Sequence, residues 1–108
     1  MSLINDLLPK VKANLIVEHD EDDELIRGYI RAAVDYAERY QYKKPGYYSK
    51  RGNHMPPTTE QGIIMLTSHY YESRDGSTGG FFGDNVHAAA QVWKAVHSLL
   101  SVGRDWTA

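Results

Sequence analysis

The chain has 108 residues, 42% hydrophobic and 24% charged, with a formal net charge of −2, as expected for one soluble globular domain over 1–108. The absence of cysteine excludes disulfides and thiolate metal sites, and no apolar run is long enough to span a bilayer. The N-terminal segment lacks the basic region of a secretory signal, and the mildly acidic total argues against a dedicated nucleic-acid binder.

The first predicted element is a short helix over 3–15. Its apolar residues recur every four positions, at Leu3, Leu7, Val11 and Leu15. Pro9 is compatible with this helix if Asn5 or Asp6 is the cap, because the first four helical N–H groups have no intrahelical partner. A helix this short must pack on the rest of the chain to be stable.

A longer second helix is predicted over 20–42, with Asp20 as its cap. Carboxylates in the first turn are stabilised there by the positive end of the helix dipole. Helical spacing predicts one buried stripe, made of Leu25, Ile26, Tyr29, Ile30, Ala33, Val34 and Ala37.

The charged residues form two clusters of opposite sign. Six of the seven residues in 18–24 are acidic, whereas 43–51 contains four bases and no acid. Such clusters suit a protein that contacts copies of itself or a partner, although each cluster alone is also typical of solvated helix ends. The candidate subunit contacts in these clusters are Glu21, Asp22, Lys43, Lys44, Lys50 and Arg51.

A long loop is predicted over 43–56, where Pro45-Gly46 is a turn signal. Tyr47 and Tyr48 lie among its bases, and three interpretations stay open. Tyrosine and arginine anchor protein interfaces, aromatic residues among bases can bind single-stranded nucleic acid, and the segment can also be a plain exposed loop. The alternative function is therefore a small helical nucleic-acid-binding or regulatory module that uses this loop.

The third predicted helix, 57–75, carries signals at both ends. Pro57 suits a first turn, Thr58 and Gln61 have the spacing of a capping box, and Gly76 supplies the stop. Its wide apolar arc predicts contacts with several neighbours and a central place in the fold. The residues of that arc are Ile63, Ile64, Leu66, Thr67, Tyr70 and Tyr71.

Two further features of this helix concern its contacts. Gly62, Met65 and His69 share the opposite face, where a small residue beside methionine lets another helix approach, so they are candidate subunit contacts. Arg74 falls within the apolar arc. It either bonds the last carbonyls of the helix or meets an acid of the second helix.

The chain then continues through a glycine-rich loop, 76–83, into a fourth predicted helix, 84–102. Phe81 and Phe82 at the loop tip are candidate partner contacts, because two exposed phenylalanines are otherwise a liability. Trp106, near the chain end, either packs back on the core or contacts a partner.

These elements predict an all-α fold, a small bundle of about four helices with long loops at 43–56 and 76–83. No chemistry is predicted from the five histidines: no two are spaced at i and i+4, and nothing completes a metal site around His69 and Glu72. The acidic run also lacks the central glycine of a calcium loop. No nucleophile motif is present, so neither a cofactor nor an enzymatic activity is expected.

The order of motifs resembles the head–tail connector, or adaptor, proteins of tailed bacteriophages, a family that includes phage DNA-packaging and head–tail joining proteins. The similarity covers 3–76, continues weakly to the last helix, and suggests the adaptor of an HK97-type siphophage. The matching residues are Leu7, Val11, Lys12, Leu15 and Val17; Asp20, Leu25, Ile26, Tyr29, Ile30, Ala32, Ala33 and Tyr40; Pro57, Ile63, Ile64, Met65, Leu66, His69, Tyr71, Glu72 and Arg74; then Leu99, Leu100 and Arg104.

The resemblance implies a virion protein, assembled in the host cytoplasm, that forms a ring of twelve copies on the portal protein. The ring extends the DNA channel without sequence-specific DNA binding, receives a head-closure or tail protein, supports genome retention and ejection, and involves no catalysis or membrane. It also implies structural roles for Tyr71, Glu72 and Arg74. The portal contacts it implies are Leu99, Leu100, Arg104 and Trp106, with Tyr47, Tyr48, Phe81 and Phe82 lining the channel or facing the next ring.

Overall fold

The computed structural model describes residues 2–73 and 86–103, with the side chains of all but 86–89. This part of the chain contains four α-helices, a single 3-10 turn and no strand, which confirms the predicted all-α fold. The helices are α1 (Leu3–Leu15), α2 (Asp23–Tyr40), α3 (Pro57–Glu72) and α4 (Val86–Ser101), and the 3-10 turn is Tyr47–Ser49.

Helix α3 lies at the centre and packs on all three other helices, as its wide apolar arc predicted. It runs antiparallel to α2. The Tyr71 hydroxyl near its end donates to Asp22 at the start of α2, and Thr59 near its start bonds Gln41 just after α2. Helices α2 and α4 both pack on α3 but contact each other much less. The fold therefore has one end where α2 begins and another where α2 and α4 finish.

The core is formed by apolar side chains that almost completely leave the solvent. Each buried leucine or isoleucine contributes about 1.5–3 kcal/mol relative to exposure, so this cluster dominates the stability of the fold. Its most deeply buried members are Leu7, Val11, Ile26, Ile30, Ala33, Ala37, Ile63, Leu66, Val96 and Leu100.

One member of the predicted α2 stripe does not belong to the core. Leu25 is 41% exposed, and Tyr29 is only half-buried. The two residues lie at the edge of the stripe, and the neighbouring helices cover only its middle.

Gly62 was predicted to contact another subunit, but this prediction is wrong because the helix that Gly62 contacts belongs to the same chain. A Cβ atom at Gly62 would lie 3.0 Å from Leu100 Cδ2 and 3.5 Å from Leu99 Cβ, and the glycine is buried. The small residue lets α4 of the same chain approach α3 closely.

Helix α1 has the predicted bounds but not the predicted cap. It starts at Leu3 after Ser2, whose carbonyl accepts the Asp6 N–H at 3.0 Å, so Pro9 lies inside the helix. Because proline has no N–H, one intrahelical hydrogen bond is missing there.

The other helix starts also differ from the prediction. Helix α2 begins at Asp23 rather than 20, and Asp20 pairs with Lys12 instead of capping. Helix α3 begins at Pro57 after Pro56, and the Thr58 hydroxyl has no hydrogen-bond partner among the described residues, so the capping box does not form. Helix α3 ends at Glu72, and the predicted stop at 75–76 lies outside the described residues.

Candidate assembly surfaces

A buried carboxylate fixes the start of the basic loop. Glu38, near the end of α2, is only 3% exposed. Its Oε1 accepts the Gly46 N–H at 3.0 Å, and its Oε2 accepts the Tyr48 N–H at 2.9 Å. Gly46 has φ +80°, a left-handed conformation that glycine adopts at no steric cost, and this aims its N–H at the carboxylate. The turn is thus held by two charge-assisted hydrogen bonds.

Gln41, one turn further, joins four parts of the chain and is fully buried. Its Nε2 donates to Thr59 Oγ1 at 2.9 Å and to the Leu100 carbonyl at 2.8 Å, and its Oε1 accepts the Tyr48 hydroxyl. Gly103 passes so close that a Cβ atom would lie 2.7 Å from Gln41 Nε2. One amide therefore ties the end of α2 to α3, α4 and the basic loop.

These bonds place the predicted bases at one end of the bundle, which we call the basic end (Lys43, Lys44, Lys50 and Arg51). Lys44, Lys50 and Arg51 are exposed, whereas Lys43 is half-buried. The ammonium of Lys43 lies 5.0 Å from the centre of the Tyr47 ring, within cation–π range.

The two tyrosines of this loop are poorly placed to stack on nucleic-acid bases. Tyr48 is 5% exposed, and burial raises the pKa of its hydroxyl. Tyr47 is half-buried, with Lys43 over its ring and Tyr48 against it at 5.1 Å. Stacking on a base needs an open ring face. This geometry favours a protein contact over nucleic-acid binding and removes Tyr48 from the predicted partner surface.

The opposite end of α2 is acidic, and we call the exposed acids there the acidic end (Glu18, Asp20, Glu21 and Glu24). Lys12 Nζ lies 2.7 Å from Asp20 Oδ1 and 2.8 Å from Asp23 Oδ1, fixing the link between α1 and α2. The hydrogen bond to Asp20 raises the pKa of Lys12, and the same bond lowers the pKa of Asp20. Asp22, a predicted subunit contact, is half-buried and accepts the Tyr71 hydroxyl.

The acidic and basic ends are separated by the length of α2. Its 18 residues rise about 27 Å at ~1.5 Å per residue. The molecule therefore presents charges of opposite sign at the two ends of its longest helix.

A cleft with a volume of about 370 Å³ opens between α1, α3 and α4. Met65 and His69 line it, so two of the three residues predicted on that face of α3 do border open space. Burial lowers the pKa of His69, and the Glu72 carboxylate partly opposes this effect. The lining residues are Asn14, Gln61, Met65, Ser68, His69, Glu72 and Val92.

An aromatic cluster, absent from the sequence-based expectations, fills the space between α2 and α4. The Tyr36 hydroxyl and His97 Nε2 are 2.7 Å apart, and the Tyr40 ring stacks on His97 at 5.0 Å. Trp93 lies 5.6 Å from Tyr36 and 5.9 Å from His69. The spacing of 36 and 40 on one helix and of 93 and 97 on the other was the signal that could have revealed this cluster.

The predicted portal contacts are only partly on the described surface. Leu100 is fully buried in the core, so it cannot contact a partner without opening the fold, whereas Leu99 is half-buried beside α3. The other predicted portal contacts, Arg104 and Trp106, lie outside the described residues, and so do Phe81 and Phe82 of the glycine-rich loop and Arg74, for which a structural role was predicted.

Sequence reasoning missed the residues that organise the basic end: Glu38, Gln41 and Thr59. Gln41 follows the buried Ala37 by four positions, so a polar residue continues the buried stripe. A polar residue in such a position is normally hydrogen-bonded, and this was the available signal.

Within 2–73 and 86–103, no three histidine or acidic side chains come together in a way that could hold a metal ion. No helix in the same part is long and apolar enough to cross a membrane.

The described residues form an all-α bundle with a continuous apolar core and charges of opposite sign at its two ends. Comparison with known families identifies the class of protein. Residues 5–98 match the phage gp6-like head-tail connector protein family, so the chain belongs to this family and the predicted resemblance is confirmed. Neither the curated proteins nor the solved structures gave a match. The family role is structural, at the junction between the phage head and tail.

Proposed function

We propose that copies of this chain form a ring, of twelve members in the virion, on the portal protein at the capsid vertex. The ring extends the DNA channel, receives a head-closure or tail protein, and supports genome retention and ejection. Assembly takes place in the host cytoplasm. Family membership supports the connector role. The single observation that carries ring formation is the separation of acidic and basic surfaces to opposite ends of α2.

The charges of opposite sign at the two ends of the molecule suit a head-to-tail contact between successive copies. The acidic end of one copy, including Glu21, faces the basic end of the next, including Lys50 and Arg51, all of them exposed. Such a head-to-tail contact generates a closed ring when the rotation between copies closes. Complementary charges on exposed rims mainly guide the encounter and fix its register. The contact should therefore weaken with salt.

The portal contact is proposed to involve the C-terminal end of α4, with Leu99 at its edge and Arg104 and Trp106 following in the chain. The cleft beside Met65 and His69 offers a second contact surface. A net charge of −2 suits a channel that lets DNA slide, because a strongly basic lining would bind the phosphates.

Sedimentation velocity and electron microscopy, with and without the portal protein, test the proposal. We expect the fraction of protein in oligomers to increase with protein concentration and on addition of the portal protein. This fraction should decrease as the salt concentration is raised. Reversing charge at one end, with Lys50→Glu and Arg51→Glu together, should abolish assembly. Restoration is expected on mixing with a Glu18→Lys, Glu21→Lys variant.

The matched control is Arg31→Glu, a charge reversal at an exposed position in the middle of α2, which should leave assembly intact. A protein that stays monomeric at high concentration and has no affinity for the portal would refute the ring. Normal assembly of the Lys50, Arg51 variant would refute the charged contact.

A further inference from the structure

Among the described residues, the large exposed hydrophobic side chains lie at the two charged ends. Four occur in the described residues: Ile16 (83% exposed), Leu25 (41%), Tyr42 (56%) and Val102 (68%). Ile16 and Leu25 flank the acidic end, one in the link after α1 and the other in the first turns of α2. Tyr42 follows the end of α2 beside the basic loop, and Val102 follows α4, which Gln41 ties to the same end. Single exposed apolar residues are ordinary, but two at each charged end form a pattern.

Two of these residues also have an unfavourable backbone conformation. Ile16 has φ +58° and Tyr42 has φ +60°, which makes them the only described residues other than glycine with positive φ. In both places the chain closes a helix in the same way: the Val17 N–H bonds the Lys12 carbonyl at 2.9 Å, and the Lys43 N–H bonds the Glu38 carbonyl at 2.8 Å. This closure is normally made by glycine or asparagine. A β-branched isoleucine there is a genuine outlier.

The stability of a single copy does not account for an isoleucine at position 16. An exposed isoleucine gains little from burial and forces its backbone into the left-handed region, where a branched side chain is disfavoured. Ile16 lies near the start of α2 and Tyr42 lies just past its end, and the 18 residues of α2 rise about 27 Å, so neither residue can cover the other within one chain. A contact between chains would bury both.

We infer that Ile16 and Leu25 of one copy pack against Tyr42 and Val102 of the next copy. This inference rests on the proposed self-assembly and deepens it. The charges of opposite sign around the two apolar pairs argue for a second copy as the occupant. Protein interfaces commonly have this build, an apolar centre with tyrosine among its main anchors, surrounded by a polar rim.

The inference separates assembly from stability, because the two should respond in opposite directions. Ile16→Asn and Tyr42→Asn each place a residue that tolerates positive φ at the closing position. The Ile16→Asn variant should keep or raise its Tm, by up to a few degrees, because the strain is relieved. Both variants should weaken self-association at least tenfold, as measured by sedimentation on a dilution series. A falling Tm together with weaker association in Ile16→Asn would assign this residue to the fold and overturn the inference.

Ala32→Asn is the matched control, since Ala32 is exposed in the middle of α2, away from both ends. Its association should equal that of the wild type, and an equal loss in the control would overturn the specific role of the ends. Unchanged association in both end variants would also overturn it. So would a selective loss of portal binding with self-association intact, because the portal would then be the occupant.

Cross-linking tests whether the two ends of different copies meet each other or whether like ends meet. The wild-type sequence contains no cysteine, so only the introduced thiols can react. Ile16→Cys and Tyr42→Cys are made as separate proteins and treated with a short thiol-specific cross-linker. Covalent dimers should form when the two are mixed and not with either alone. Dimers of Ile16→Cys alone would show a two-fold contact and overturn the inference. Wild-type oligomers without any mixed cross-link would overturn this inference and leave the proposed function standing, whereas a wild type that neither self-associates nor binds the portal overturns both.

Discussion

Glu38→Gln is the substitution that best tests how the basic end is built. The change keeps the shape of the side chain, which is 3% exposed, but removes its charge and one acceptor. In the wild type the two carboxylate oxygens accept the N–H groups of Gly46 and Tyr48 at 3.0 and 2.9 Å. An amide has one acceptor oxygen, so one of these donors would face an NH₂ group instead.

The magnitude follows from this exchange. A hydrogen bond to a charged group contributes about 1.5–3 kcal/mol, and a neutral one about half of that. One bond is lost and the other is weakened, while the cost of burying a charge is removed and offsets part of the loss. We expect a net loss of about 2 kcal/mol, a large share of the roughly 5–15 kcal/mol that stabilises a domain.

Urea denaturation followed by circular dichroism measures the loss, and hydrogen exchange at the Gly46 and Tyr48 amides locates it. Both amides should lose protection while those in the middle of α2 keep it. Glu18→Gln is the control with the same chemical change at an exposed position, and its stability should stay within about 0.5 kcal/mol of the wild type. A Glu38→Gln variant equally close to the wild type, with both amides still protected, would refute the reasoning.

Three further predictions concern positions with an unambiguous geometry. Gly103→Ala should lower the free energy of unfolding by about 1–3 kcal/mol, because the new Cβ atom would lie 2.7 Å from Gln41 Nε2 and 3.0 Å from Thr59 Oγ1. An unchanged midpoint of urea denaturation would contradict this prediction. Thr58→Ala should change stability by less than ~0.5 kcal/mol, since no cap bond is present, whereas a true cap would cost about 1 kcal/mol. Burial lowers the pKa of His69 below its ordinary 6.5, so the free energy of unfolding should fall as the pH drops below that value. His69→Gln should reduce this loss in urea denaturation at a series of pH values below 6.5, and a pH profile identical to that of the wild type would argue against it.

The helices could be read from the sequence because hydrophobic spacing and helix breakers are local signals. The bounds of α1 and the central place of α3 follow from such spacing alone. The edges of a stripe are less certain. Leu25 fits the α2 period as well as Ile26 does, yet only Ile26 is covered, because coverage depends on where α1 and α3 cross α2.

The organisation of the basic end could not be read in the same way. The bonds from Glu38 reach residues eight and ten positions away, and those from Gln41 reach Thr59 and Leu100, so no local period encodes them. The clusters of charge were visible in the sequence. The sequence also predicts one helix between these clusters, and α2 is that helix, so their placement at its two ends follows from local signals.

The position of Gln41 links the two surfaces on which the connector role is proposed to depend. Its amide bonds Tyr48 in the basic loop and the Leu100 carbonyl at the end of α4, and both contacts are fully desolvated. A shift in the hydrogen bond to Tyr48 also changes the geometry of the hydrogen bond to the Leu100 carbonyl. Both are made by the same planar amide group, whose oxygen and nitrogen move together. The loop proposed to meet the next copy and the helix end proposed to meet the portal therefore form one rigid unit. The position of the loop and that of the helix end are thus fixed by the same buried amide, so a substitution at Gln41 should displace both surfaces together.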